Sequence, residues 1–251
     1  SIDWQPGDRI LLFEGEFPTN ITPWQRAAEA FGLQIRMLPL EGFGDGSGRG
    51  LERLETEIRK GAKLVATSAV QFQTGLAMPL DEIGALCRQH DTLFSVDAIQ
   101  AVGCIPIDVR RSGIDFLIAG SHKWLMGLEG CGFVYMAPNR LDALIPRLAG
   151  WLSHEDGLDF LFRGAGFLRY DRPIRRRADW IEMGAQNALG FAALEASVDL
   201  LLHLGIDSIF EHITRWIDRI EPELTNRGFR SMRPKSVGAR SGILSLLPPS
   251  G

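Results

Sequence analysis

The stretch TLFSVDAIQAVGCIPIDVRRSGIDFLIAGSHKWLMGLEGCGFVYM, residues 92–136, decides the fold. It holds three short apolar runs, at 92–96, 115–119 and 132–136. The first two show no alternation of polar and apolar residues, the pattern of strands covered on both faces, which is the habit of parallel sheets. Each of these two ends abruptly in polar chemistry. Asp97 follows the first, with Gln100 three residues on. Gly120-Ser121-His122-Lys123 follows the second. The chain has four lysines against 23 arginines, so a lysine at a strand end is a departure from its own habit.

Outward from this stretch, the first half alternates strand and helix signals. Strands are predicted at 9–13, 34–40 and 63–69. Helices are predicted at 22–32, 51–61 and 80–90, the first with Thr22 as N-cap, Pro23 in its first turn and Gly32 as its stop. Such alternation predicts a mostly parallel sheet with helices on both faces, a three-layer α/β/α domain. Right-handed crossovers bring the strand carboxyl ends to one edge, where ligands of such sheets bind. The pattern fails over 147–180, where aromatics mix with Arg163, Arg169, Arg172, Arg175, Arg176 and Arg177. An irregular segment of this length belongs to a site or an interface. Two amphipathic helices are predicted at 186–204 and 206–227. The first has Phe191, Leu194, Val198 and Leu201 on one face. The second aligns Ile206, Ile209, Phe210, Ile213, Trp216, Ile220 and Leu224. The last stretch reads as strands of a second, smaller α+β domain that is cut short. The expected division is 1–184 for the large domain and 185–251 for the connecting helices and the start of the small one.

Composition bounds the function. The chain is 45% hydrophobic and 23% charged with formal net charge −4, so no basic field invites nucleic acid or an anionic membrane. No apolar run is long enough to span a bilayer. Cys87, Cys104 and Cys131 are too scattered for a disulfide framework or a zinc knuckle, and the histidines show no metal-binding spacing, so no metal site is expected. Free thiols and the lack of a signal-like start lead to the expectation of a cytoplasmic protein. The five glycines of 41–50 fit neither dinucleotide nor P-loop spacing and read as a flexible surface loop.

If the strands ending at Val96 and Ala119 are parallel neighbours, Asp97 and Lys123 share one crevice. One reading is structural: Asp97 caps the helix after it and Lys123 is its ion-pair partner or a loop charge. The other is chemical. A lysine amine forms a Schiff base with an aldehyde, which arginine cannot do. A carboxylate against a pyridine nitrogen keeps that nitrogen protonated, so the ring accepts electrons. Together they are the protein half of pyridoxal phosphate chemistry.

The order V-D-A-x-Q, G-x-x-P-x-D-V, G-x-D-F-L, S-H-K-W and G-x-G-F-x-Y resembles the signature of class V aminotransferases and their cysteine desulfurase relatives. Weaker similarity includes EFPTNITPWQ (16–25) and EMGAQNALGFAALEAS (182–197). The resemblance implies the type I pyridoxal-phosphate transferase fold, a homodimer and an amino-acid substrate. Lys123 would carry the Schiff base and move the Cα proton, and Asp97 would pair with the ring nitrogen. Gln100 would bond the phenolic oxygen, and Ser121 and His122 would bind the phosphate. Ala69, with Val70 and Gln71, would border the cofactor. Phe17 occupies the place of the histidine that stacks on the ring in cysteine desulfurases. Its aromatic face can stack, but it is neither acid nor base. Ala185 replaces a threonine that reaches the partner subunit's phosphate, so that contact is lost or passes to Gln186 or Asn187. None of the three cysteines matches the desulfurase nucleophile, which is expected after residue 251. The family's phosphate-binding turn and carboxylate-binding arginine are expected before residue 1 and after residue 251. The arginine group of 163–177 reads either as an interface loop or as the source of a carboxylate-binding side chain. The alternatives to an aminotransferase-like activity are desulfurase, lyase or epimerase chemistry, or a truncated relative that only binds a partner.

Overall fold

The structure, a computed structural model, describes residues 1–249. A six-stranded sheet is built from β1 (Arg9–Phe13), β2 (Gln34–Leu38), β3 (Ala62–Ser68), β4 (Leu93–Asp97), β5 (Phe116–Gly120) and β6 (Gly132–Met136). The order across it is β2-β1-β3-β4-β5-β6. The first five strands pair in parallel and β6 runs antiparallel to β5. This is the mixed, mostly parallel sheet of a three-layer α/β fold.

The helices α1 (Thr22–Phe31), α2 (Arg49–Ile58) and α3 (Leu80–Gln89) form the crossovers between the strands. Two apolar clusters lie on opposite faces of the sheet. One joins Leu11, Phe13, Val65, Phe94 and Val96 to Leu54 of α2 and Ile83 of α3. The other joins Ile10, Leu12, Leu64 and Ala66 to Trp4 and Trp180, with Trp24 and Phe31 of α1 packed against it. Alternate residues of one strand therefore serve different layers. Each fully buried Leu or Phe contributes roughly 1.5–3 kcal/mol.

Three local expectations are corrected. Thr22 is the first helical residue of α1; the N-cap is Ile21, whose carbonyl accepts from Trp24 and Gln25, and no side chain caps the helix. The glycine-rich stretch is anchored at its start, where Phe43 is buried and packs edge-on against Phe13 at 5.6 Å. A Cβ on Gly50 would come within 2.6 Å of the Phe43 ring, so glycine there is a packing requirement. The third concerns the two helices that follow the short α4 (Asp159–Arg163): α5 (Ala188–Leu204) and α6 (Ile206–Asn226) meet at Gly205 at 78°. Leu194 and Leu201 of α5 bury against Leu125, with Ile206 and Ile209 beside them. Because α6 then swings away, Trp216 and Ile220 stay exposed and Ile217, off the expected face, is its buried residue. A two-residue antiparallel pair, β7 (Arg230–Ser231) with β8 (Leu246–Leu247), follows. Among the described residues, no single helix is long and apolar enough to cross a membrane.

Candidate active site

The carboxyl ends of β3, β4 and β5 lie side by side. Register pairs Ser68 with Asp97 and Asp97 with Ile118. The backbone continues this pairing past the strand ends: Ala69 N–H donates to the Asp97 carbonyl and Ala98 N–H to the Ile118 carbonyl, each at 2.8 Å. The residue after each of these strands is thus delivered to the same edge.

Asp97 is partly buried, and its Oδ1 accepts the Ile99 N–H at 3.0 Å. No other hydrogen bond reaches this carboxylate among the described residues. Burial pushes the Asp97 carboxyl above its ordinary range and the Glu16 charge adds to the rise, whereas the Ile99 N–H and Lys123 draw it down. The capping expectation is met in part, since Asp97 does turn the chain at Ile99. The ion-pair expectation is not, since Lys123 makes no salt bridge among the described residues.

Lys123 is exposed, with Nζ 5.9 Å from the centroid of the Phe17 ring. Phe17 is 47% exposed and meets Phe72 edge-on at 5.3 Å. An aromatic ring and an unpaired, exposed amine therefore lie side by side. The turn carrying Lys123 is held from behind by Gly103, at φ 96°, where a Cβ would come within 2.5 Å of the Trp124 carbonyl. Ser121 is fully buried, and its hydroxyl donates to the Leu128 carbonyl, closing the 121–128 turn. His122 is exposed beside it. Gln100 is half-buried and unbonded through its side chain among the described residues, and Ala69 is buried at the end of β3.

Sequence reasoning missed Glu16. It is 8% exposed and lies just beyond β1. Its carboxylate accepts from the Ser68 N–H at 2.7 Å, Gln71 Nε2 at 2.8 Å and Asn20 Nδ2 at 3.0 Å, and from the hydroxyls of Thr67 and Ser68. It has no cationic partner among the described residues. The available signal was an acid three residues past a buried strand, inside the same EFPTN motif that supplied Phe17.

No arginine of this group hydrogen-bonds or ion-pairs with Asp97, Lys123 or Glu16 among the described residues. Arg172 and Arg175 pair with Asp159 and Asp179 at 3.2 and 2.8 Å; Arg163, Arg169 and Arg177 also pair with aspartates of the segment. Arg176 is exposed and makes no ion pair among the described residues. The three cysteines are free and buried, and burial pushes the Cys87 and Cys104 thiols up to about 12 and about 11.

The profile of the family described as "Aminotransferase class-V" matches residues 1–247. The chain belongs to the class V aminotransferase family. A probable cysteine desulfurase of Pyrococcus abyssi is 28% identical over 248 residues, 98% of this chain and 58% of that protein. An uncharacterized aminotransferase of Bacillus subtilis is 32% identical over 163 residues, 65% of this chain and 41% of that protein. The apo cysteine desulfurase of Thermococcus onnurineus superposes with a TM-score of 0.85 at 26% identity, covering 98% of this chain and 58% of that one. The chain thus spans little more than half the length of the Pyrococcus and Thermococcus relatives.

Members of the class V family depend on pyridoxal phosphate, and the residues present here fit that group. The amine of Lys123 is unpaired and accessible. The Asp97 carboxylate is desolvated, with hydrogen-bonding capacity left over. A partly exposed ring, Phe17, lies beside the amine.

Proposed function

We propose that this chain carries the cofactor-binding part of a pyridoxal-phosphate-dependent enzyme that acts on the amino group of an amino acid. The observation that supports it most is the convergence of Asp97 and Lys123 at adjacent parallel strand ends, with Lys123 Nζ 5.9 Å from the Phe17 ring. Asp97 would hold the ring nitrogen, Gln100 the phenolic oxygen, and Phe17 one face of the ring, with Ala69 at its border. His122 and the turn closed by Ser121 would receive the phosphate.

When bound, pyridoxal phosphate supplies an aldehyde that condenses with an amine and a ring that accepts electrons. The chain's own part is positioning and proton transfer. Lys123 Nζ would hold the aldehyde and would be the base and acid for the proton at the substrate Cα. Asp97 would hold the protonated ring nitrogen. Phe17 excludes water from one side and moves no proton. A homodimer is part of the same proposal. Leu148, Phe162 and Tyr170 of the irregular segment are largely exposed, a surface suited to being covered by a second copy.

Transamination is the reading favoured here. Desulfuration is supported by the descriptions of the Pyrococcus and Thermococcus relatives. Against it stands Phe17, which occupies the place of the histidine expected in a desulfurase and can move no proton.

Titration with pyridoxal phosphate, followed by visible absorbance, tests the site. The wild-type chain should develop an absorbance band that Lys123→Ala lacks. Asp97→Asn should bind about 10- to 100-fold more weakly, the worth of one charge-assisted hydrogen bond. No band in the wild type, or an unchanged band in Lys123→Ala, would overturn the assignment. With cysteine as substrate and an added thiol as reductant, formation of alanine and sulfide without keto acid would favour the desulfurase reading.

A further inference from the structure

We propose that Glu16 is a positioning residue of this site, clamping the Phe17 loop onto the end of β3 and setting a second negative charge beside Asp97. This rests on the cofactor reading for its purpose, though its geometry stands without it.

Two strand ends meet at this carboxylate. Its neighbour in the chain is Phe17, and Asn20 binds it from the far end of the same loop. Thr67, Ser68 and Gln71 bind it from the end of β3 and the turn beyond. One buried acceptor therefore fixes the Phe17 loop to the segment containing Ala69. Satisfying so many donors with one acid makes the arrangement rigid. Gln71, 1% exposed, spends its Nε2 on Glu16 and leaves its own Oε1 buried without a partner. The network is thus directed at the carboxylate rather than at mutual satisfaction.

The charge has a second consequence. Asp97 is faced by Glu16 from the loop after β1 and by Lys123 from the turn after β5. Glu16 opposes ionisation of Asp97 and Lys123 favours it. A buried anion with no cation of its own raises the proton affinity of whatever lies between it and Lys123. A ring nitrogen held by Asp97 would keep its proton more firmly for that reason.

The test pairs two substitutions with a measurement that needs no cofactor. In the cofactor-free protein with carbon-13 carboxyl labels, the Asp97 titration should move to lower pH in Glu16→Gln. It should stay near the wild-type position in Glu16→Asp, which keeps the charge. Both variants should lose thermal stability, since each disturbs the network; a purely structural role would give that loss without the Asp97 shift. Cofactor affinity should fall about tenfold in Glu16→Gln, the lower end of the usual cost of losing an outer-shell partner. An Asp97 midpoint equal in wild type and Glu16→Gln would overturn the proposal. If Glu16→Gln does not fold, the wild-type titration decides. Its Asp97 midpoint should lie above that of the unfolded chain, and one at or below it would overturn the coupling. Failure of wild-type chain to bind pyridoxal phosphate would sink the cofactor reading while leaving the Glu16 titration result intact.

Discussion

The strand-end edge and the 147–180 segment are both rich in charge, yet they use it differently. At the edge, Asp97, Lys123 and Glu16 are few and none makes an ion pair among the described residues; each is placed by a buried strand just before it. In the segment, five of six arginines are consumed by nearby aspartates, and the backbone is a run of short turns with one isolated bridge, His154 to Ile174. Charge left unpaired on a rigid frame can act on a ligand. Charge paired within a loop shapes the loop.

Breaking the frame should have the largest effect. Phe94 is fully buried in β4, three residues before Asp97. Phe94→Ala should cost about 3–5 kcal/mol in chemical denaturation. A loss under about 1 kcal/mol would mean that the edge is not held by the core beneath it. Arg172 is the best-buried arginine of the segment at 16% side-chain exposure, and it donates to the Asp156 carbonyl at 2.6 Å. Arg172→Ala should cost about 1–2 kcal/mol and leave any cofactor spectrum unchanged. A changed spectrum would bring the segment into the site.

Asp97→Asn should have a smaller effect, opposite in sign. The folded-state value of Asp97 is raised above its unfolded value, so ionised Asp97 weakens the fold at neutral pH. The cofactor-free Asn variant should melt at higher temperature than wild type at pH 7. The gain should shrink as pH falls through the folded value toward about 3.9, the ordinary aspartate value, and vanish below it. A destabilised variant at pH 7 would show that the Lys123 attraction outweighs burial. The smallest effect belongs to Arg177, exposed and paired with Asp179 at the surface. Arg177→Ala should leave the melting temperature unchanged, as surface pairs usually do.

Much of the frame was legible because burial writes itself into composition. Most strands of the six-stranded sheet follow an apolar run, and Asp97 and Lys123 stand where those runs stop. Periodicity failed where tertiary geometry took over. The stripe on α6 was read correctly as apolar, but beyond the 78° turn at Gly205 its Trp216 and Ile220 stay exposed while Ile217 is the buried residue. Spacing also cannot separate site acids from framework acids. Asp115, from the same signature stretch as Lys123, accepts the Phe94 N–H and Arg140 Nε and holds β4 in place. Asp108 accepts the backbone of Arg110 and Arg111 in a turn. Glu16 escaped notice because its importance lies in partners some fifty residues away, which no local pattern records.

The most direct measurement is reduction of the pyridoxal-phosphate-treated chain with borohydride, followed by peptide mapping. The label should fall on Lys123 and disappear in Lys123→Ala. A label on Lys60, Lys63 or Lys235 with Lys123 unmodified, or no label at all, would contradict the assignment of this strand-end lysine.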